Sequence, residues 1–185
     1  MQALSMLPFA ALLLASLLLT AVVTDLRSRR IPNSLVIAGV VMAFAVHALA
    51  RLTGGDSLAG PAWWSPLAGL GVGLAMLMPL HLMRGCGAGD VKLMAMVGAF
   101  VGTQTAIAAT LYTLLAGGAL SVLFMLSRGI ALQTLANMRS LLLDRTVRGS
   151  AARLAPLEHT AARLPYGVAI SLGTGAALLW PLGQR

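Results

Sequence analysis

Residues 5–30 read SMLPFAALLLASLLLTAVVTDLRSRR, a long apolar run that ends in one aspartate and three arginines. About 20 such residues form a helix of about 30 Å, the thickness of the hydrocarbon core of a bilayer. No Lys or Arg precedes Arg27, whereas a secretory signal peptide carries positive charge before a shorter apolar core. We therefore expect a retained membrane span with its amino end outside.

The whole chain has the composition of a membrane protein. Of its 185 residues, 58% are hydrophobic and 10% are charged, and the mean hydropathy is +0.88. Soluble domains carry about 25% charged residues, so these few charges cannot cover a water-facing surface. The single cysteine, Cys86, permits neither an intramolecular disulfide nor a Cys-rich zinc site. We predict no metal and no cofactor.

Further apolar runs predict about six spans. The runs at about 34–52, 63–83 and 165–180 each have the length of one span, while the run at 91–126 is too long for one. Gly102-Thr103-Gln104 divides that run into a short fourth span and a fifth. The predicted fold class is an all-α polytopic membrane helix bundle, with residues 1–185 as a single membrane-embedded domain.

The basic residues indicate how the spans are oriented. With the amino end outside, eleven of the 13 Lys and Arg face the cytoplasm, and only Arg51 and Arg185 do not. An excess of Lys and Arg in cytoplasmic loops is the rule for membrane proteins. It explains the net charge of +8 better than nucleic-acid binding, which needs a basic soluble face. Residues 128–164 are predicted to be a basic cytoplasmic connection, and no nucleic-acid partner is expected.

Two of the five acidic residues fall at the same predicted membrane depth. Asp25 ends the first span and Asp90 begins the fourth, both at the cytoplasmic boundary. Such carboxylates are costly and usually face a cavity or a partner. Two carboxyl groups that share a proton can hydrolyse a peptide bond, one as base on a water and the other as acid on the carbonyl. The helix ends favour Asp90 as the ionised base and Asp25 as the acid.

Structural explanations of each aspartate stay open at this point. Asp25 could form an ion pair with Arg27, Arg29 or Arg30, and Asp90 could be the N-cap of a helix. An N-cap does not require the flanking glycines, Gly87 and Gly89. Glycine lets a backbone approach a ligand chain closely, so these two positions favour a functional site.

The residues around both aspartates resemble those of one protein family. Gly87-Ala88-Gly89-Asp90-Val91-Lys92 resembles the Gly-x-Gly-Asp-x-Lys motif of type IV prepilin peptidases, aspartic proteases of the bacterial inner membrane. Asp25 followed by Ile31-Pro32-Asn33 is similar to the family's first aspartate motif. Pro165-Tyr166-Gly167 resembles a recurring feature of its shorter members. The resemblance covers about residues 10–180.

The resemblance implies a site and an activity. Asp25 and Asp90 take the positions of the catalytic pair, and the motif or substrate-binding candidates are Asn33, Gly87, Gly89 and Lys92. The implied protein is a multi-pass aspartic endopeptidase, a hydrolase of type IV pilus biogenesis. Its implied partners are the lipid bilayer and a prepilin with a leader peptide and an apolar helix. Cleavage would occur at the cytoplasmic membrane face.

The size of the chain resembles that of the compact peptidases of Flp/Tad-type pilus systems. Larger family members carry an additional amino-terminal region with paired CxxC motifs and also N-methylate the new pilin terminus. This chain starts directly with a span and has one cysteine, so methyltransferase activity is not implied.

Two other classes of function remain open. An ion-coupled transporter also uses boundary carboxylates, but it should show polar residues at mid-membrane and often an internal repeat. A non-enzymatic scaffold of a pilus or secretion system would tolerate neutralisation of either aspartate, whereas a peptidase would not.

Several further residues are expected to be structural. His47 and His81 are predicted to pack or to lie at the interface, and Cys86 has no histidine placed to activate it as a nucleophile. Gly69-x-x-x-Gly73 and Gly98-x-x-x-Gly102 have the spacing for close helix contact. Packing within the bundle is the expected use, with a homodimer contact as the alternative.

Overall fold

The chain was analysed as a computed structural model, which describes residues 6–83, 85–127 and 166–181. These residues form five α-helices and no strand: α1 Leu7–Ser28, α2 Asn33–Leu52, α3 Ser65–Leu82, α4 Ala88–Ser127 and α5 Tyr166–Leu179. The predicted all-α class is therefore confirmed. The predicted basic connection at 128–164 lies outside the described residues.

The helices have the lengths and compositions of membrane spans. The first three, together with residues Ala88–Phe124 of α4, are long and apolar enough to cross a bilayer, and α5 is a shorter apolar helix of 14 residues. Helices α1 and α3 each carry a proline in their first turn, where the missing N–H has no intrahelical acceptor in any case. The chain is a polytopic helical membrane protein.

Helix α4 contains a break at Gly102. This residue has φ 73° and ψ 179°, which is not helical, and a Cβ atom added there would overlap the carbonyl oxygen of Ala59. Only glycine adopts such a backbone readily and leaves that space. The predicted division at residues 102–104 falls at this point. Residues 88–101 and 103–127 are therefore two helical segments. With α4 counted as two, the described part of the chain has six helical segments.

The segment before the break is the centre of the bundle. Residues 93–102 are buried without interruption, and a helix that is apolar on every side belongs in the interior. Around it, α1 packs against α2 and α5, and α2 packs against α3. The shared core includes Leu14, Leu77, Met96 and Ile170.

The two Gly-x-x-x-Gly motifs meet each other. A Cβ atom added at Gly69 would overlap the carbonyl oxygen of Gly98, and one added at Gly98 would overlap that of Gly69. At Gly73 the added atom would overlap the carbonyl oxygen of Met94. Helices α3 and α4 therefore touch backbone to backbone. The expectation that these glycines serve packing within the bundle is confirmed.

His47 has the structural role that was expected. Its ring is buried, Nδ1 lies 2.7 Å from the Ser57 hydroxyl, and Nε2 lies 3.0 Å from the carbonyl oxygen of Ala62. Trp63 meets the ring edge-on at a centroid distance of 6.5 Å. The histidine thus connects α2 by hydrogen bonds to the loop between α2 and α3.

The described residues belong to two structural units. The first contains residues 6–117 and 166–181, and the second contains residues 118–127 at the end of α4. Both aspartates of interest lie in the first unit, as do the described residues that contact them.

Candidate active site

Asp25 is held between the end of α1 and the start of α5. It lies one turn before the last residue of α1, Ser28, and is half-buried. Its Oδ2 accepts a hydrogen bond from the backbone N–H of Gly167 at 3.0 Å. The first N–H groups of a helix have no intrahelical acceptor, and a helix amino end favours negative charge. The start of α5 therefore both orients the carboxylate and stabilises its charge.

The position next to Asp25 requires a glycine for space. A Cβ atom added at Gly167 would lie 3.0 Å from Oδ2 of Asp25 and 3.4 Å from its Cβ. Any larger residue would push the carboxylate away or move the start of α5. The ion pairs considered from sequence are not formed: Arg27, Arg29 and Arg30 are exposed, and among the described residues none of them pairs with Asp25.

Asp90 is the third residue of α4 and is only 9% exposed. Its Oδ2 accepts the backbone N–H of Gly87 at 2.8 Å, and Gly87 lies directly before the helix. A carboxylate at the third helical position that reaches back to this N–H is the acidic half of a capping box. The N-cap explanation of Asp90 is therefore wrong in its position. Gly87 is the N-cap residue, and Asp90, three residues later, accepts the hydrogen bond from its N–H.

The two carboxyl groups interact electrostatically although they lie far apart in the chain. The charge of Asp25 acts on Asp90, and so does His81 near the end of α3. Nearby like charges disfavour simultaneous ionisation of both groups. The arrangement is that of two interacting carboxyl groups at the meeting point of four helix ends, from α1, α3, α4 and α5.

The segment after α1 packs against the first turn of α4, which contains Asp90. A Cβ atom added at Gly89 would lie 3.3 Å from Cβ of Ile31, so glycine permits this contact. Nearby, Nζ of Lys92 donates a hydrogen bond to Oδ1 of Asn33 at 3.0 Å, and both residues are exposed. The two motifs selected from sequence are thus adjacent in space. The six candidate residues form one cluster: Asp25, Asn33, Gly87, Gly89, Asp90 and Lys92.

Cys86 and His81 support the turn between α3 and α4. Nδ1 of His81 lies 3.0 Å from the carbonyl oxygen of Cys86. Burial, and secondarily the charge of Asp90, raise the pKa of the Cys86 thiol to about 11. Because the thiolate is the nucleophile, a thiol with this pKa is unreactive near pH 7. The expectation that Cys86 is not catalytic agrees with its surroundings.

Sequence reasoning did not select two residues of α5. Gly167 donates to Asp25, and Tyr166 interacts electrostatically with Asp90 and Cys86. Pro165-Tyr166-Gly167 resembles a recurring feature of the shorter family members, but no role at the site was expected for it. The available signal was its position, because the start of a helix presents free N–H groups to which a carboxylate can bond. Among the described residues, no three His, Cys, Asp or Glu side chains are grouped to hold a metal ion.

Comparison with known proteins gives one match. The model of the type IV leader peptidase family matches residues 12–122, a stretch that contains both aspartates, the segment 31–33 and the loop before α4. No curated protein and no solved structure matches the chain. The family match covers more than half of the 185 residues. The chain belongs to the type IV leader peptidase family.

Proposed function

We propose that the protein is an aspartic endopeptidase that removes the leader peptide of Flp-like type IV prepilins, with Asp25 and Asp90 as the catalytic pair. Family membership supports a peptidase. The observation that carries the aspartic mechanism is the electrostatic interaction between the two carboxyl groups, each of which accepts one backbone N–H. The substrate class is proposed from the family, and two carboxyl groups can hydrolyse a peptide bond by acid and base catalysis alone.

In the proposed reaction, a water lies between the two carboxyl groups. The ionised aspartate takes a proton from the water, whose oxygen attacks the scissile carbonyl carbon, while the protonated aspartate gives its proton to the carbonyl oxygen. The diol that forms then collapses. The C–N bond breaks as the amide nitrogen takes a proton from the aspartate that accepted it from the water. One hydroxyl of the diol gives its proton back to the other aspartate and becomes the new carbonyl oxygen, so both carboxyl groups return to their starting states.

The helix ends near the two aspartates do not determine which aspartate is the acid and which is the base. Asp90 lies at the amino end of α4, as the sequence indicated. Asp25 lies at the carboxyl end of α1, but its carboxylate meets the amino end of α5 through Gly167. Each carboxylate thus has one N–H donor and one helix amino end. We propose that the two carboxyl groups share one proton during the reaction.

The remaining candidates are proposed to shape the site. Gly87 and Gly89 have no side chains, which leaves space for a peptide backbone to approach Asp90. Lys92 and Asn33 are proposed to hold the segment after α1 against the start of α4, because their side chains bond to each other.

The proposed location is the bacterial inner membrane, with the amino terminus outside and the site facing the cytoplasm. The exposed Arg27, Arg29 and Arg30 follow Asp25 directly, and such a cluster favours the cytoplasmic side. A prepilin whose basic leader stays in the cytoplasm, and whose apolar helix enters the bilayer, would present its cleavage site at this depth.

The proposal is tested with purified protein in detergent and a precursor that carries a basic leader and an apolar helix. Mass spectrometry of the products should show one cut, at the leader boundary. Replacement of the basic leader residues by alanine should lower the rate. Membranes from cells without the protein serve as the control. An intact precursor would contradict the proposal and favour the scaffold or transporter alternatives.

A further inference from the structure

An open groove runs along the bundle between α1 and α5. Its volume is about 280 Å³, and ten residues line it: Ala11, Leu14, Ala15, Leu18, Leu19, Val22, Ser171, Thr174, Gly175 and Leu178. Leu14, Leu18 and Thr174 are buried and form its floor, while Ala15 and Leu19 are exposed along its wall. The groove is therefore accessible from the outer surface of α1.

The groove begins at the candidate active site. Val22 precedes Asp25 by three residues and Ser171 follows Gly167 by four, so each pair lies on one face of its helix. The Ser171 hydroxyl also donates to the carbonyl oxygen of Gly167 at 2.9 Å. The hydrogen bond between Gly167 and Asp25 thus closes one end of the groove.

The lining is suited to a helix rather than to a flexible chain. Small residues at Ala11, Ala15, Ser171 and Gly175 permit close approach of another helix backbone, as in membrane helix pairs. Thr174 is fully buried, and its hydroxyl has no hydrogen-bond partner among the described residues. That hydroxyl is covered by the protein itself, so the surface that the groove offers to an occupant is mainly apolar.

The size of the groove defines how much of a helix it can take. From Asp25 to Ala11, α1 rises by about 20 Å, and a helix segment of that length fills about 1,500 Å³. The volume of about 280 Å³ is a small part of that. The groove therefore receives the side chains along one face of a helix, over about 13 residues from the site.

We propose that this groove binds one face of the apolar precursor helix that follows the cleavage site. The inference rests on the proposed peptidase function. It assigns the direction of the substrate: the scissile bond lies at Asp25 and Asp90, and the helix runs from there along α1 and α5 across the bilayer.

The first test fills the groove. A side chain at Gly175 meets no atom within 4 Å of its Cβ, and the same holds for Gly71 on the exposed side of α3, so Gly175→Leu and Gly71→Leu form a matched pair. With a precursor of a basic leader and an apolar helix of about 20 residues, Gly175→Leu should raise KM about tenfold or more with little change in kcat. Gly71→Leu should leave KM unchanged. Equal KM values, or a fall in kcat alone, would overturn the proposal.

The second test detects the occupant by disulfide cross-linking. The enzyme carries Cys86→Ala, the inactivating Asp90→Asn and either Ala15→Cys or, as control, Gly71→Cys. Cysteines are placed one at a time along the precursor helix. Ala15→Cys should cross-link at positions three or four residues apart, and Gly71→Cys should not. Cross-links between two enzyme chains, or none with the precursor, would overturn the proposal.

The two proposals fail separately. If the wild type does not cut the precursor, the peptidase function is contradicted whatever the cross-links show. If the wild type cuts it and Gly175→Leu cuts it with the same KM, the peptidase function stands and the groove is not the helix site.

Discussion

The backbone N–H of Gly167 donates to Oδ2 of Asp25 at 3.0 Å, across 142 positions of the chain. This bond makes the first helix and the last described helix parts of one site. Residues 12–122 match the family model, so Gly167 lies outside the matched stretch. The geometry of Asp25 nevertheless depends on it.

Gly167→Ala should impair catalysis. The new Cβ atom would lie 3.0 Å from Oδ2 of Asp25, so the carboxylate or the start of α5 must shift. A displacement of about 1 Å near a reacting group lowers rates about 100-fold, and the shift needed here is a few tenths of an ångström. We expect a fall in kcat of about tenfold for precursor cleavage. Gly71→Ala on the exposed side of α3 is the control, because its Cβ meets nothing within 4 Å. Equal activity of Gly167→Ala and the wild type would contradict a positioning role.

Gly98→Ala should weaken the contact between α3 and α4. The added Cβ would overlap the backbone of Gly69, which cannot move aside as a flexible side chain can. We expect a loss of about 3 kcal/mol in the free energy of unfolding, measured by SDS titration in mixed micelles. Gly71→Ala on the exposed side of α3 should stay within about 1 kcal/mol of the wild type. Similar values for the two variants would show that α3 and α4 are not in backbone contact.

The hydrogen bond between Lys92 and Asn33 should appear as a coupling between the two residues. Both side chains are exposed, so the expected coupling is small, about 0.5–1 kcal/mol. A double-mutant cycle with Lys92→Met and Asn33→Ala measures it from the free energies of unfolding. The same cycle with Ser34→Ala, the exposed neighbour, should give none. Strict additivity of Lys92→Met and Asn33→Ala would contradict the contact.

Alkylation of Cys86 should report its raised pKa. Burial favours the neutral thiol and raises its pKa from 9.0 to about 11, so the thiolate fraction at pH 8 is about 100-fold lower than at the ordinary pKa. The iodoacetamide rate should rise about tenfold per pH unit until about pH 11. Because this is the only cysteine, the readout belongs to one site.

The denatured chain provides the reference for this titration. In SDS, Cys86 should titrate near the ordinary thiol pKa. A midpoint for the folded protein that coincides with the SDS value would contradict burial of the thiol beside Asp90.

Much of the fold follows from apolar run lengths and from the few charges. The break at Gly102 could be predicted because residues 91–126 are too long for one span. The mutual contact of Gly69 and Gly98 followed from glycine spacing, although the spacing alone left a homodimer open. Asp25 and Asp90 were predicted to lie at one membrane depth from the positions of their helix ends, and their carboxyl groups interact electrostatically in the structure.

The finer geometry of the site could not be predicted in the same way. The assignment of Asp90 as the base and Asp25 as the acid rests only on the helix that contains each aspartate. The start of α5 reaches Asp25 through Gly167, and no local pattern encodes a contact between such distant residues. Likewise, Lys92 and Asn33 belong to two separate sequence motifs. Their hydrogen bond forms where Ile31 packs against Gly89, a contact between elements that neither motif predicts.

The central claim is that both Asp25 and Asp90 are required for hydrolysis. Its most direct measurement compares precursor cleavage by Asp25→Asn, Asp90→Asn and, as control, Asp56→Asn, an exposed carboxylate in the loop between α2 and α3. Each variant is first shown to insert in the membrane at the wild-type level. The account predicts that Asp56→Asn cuts at the wild-type rate, whereas the other two leave the precursor intact. Cleavage near the wild-type rate by Asp25→Asn or Asp90→Asn would contradict the two-aspartate mechanism.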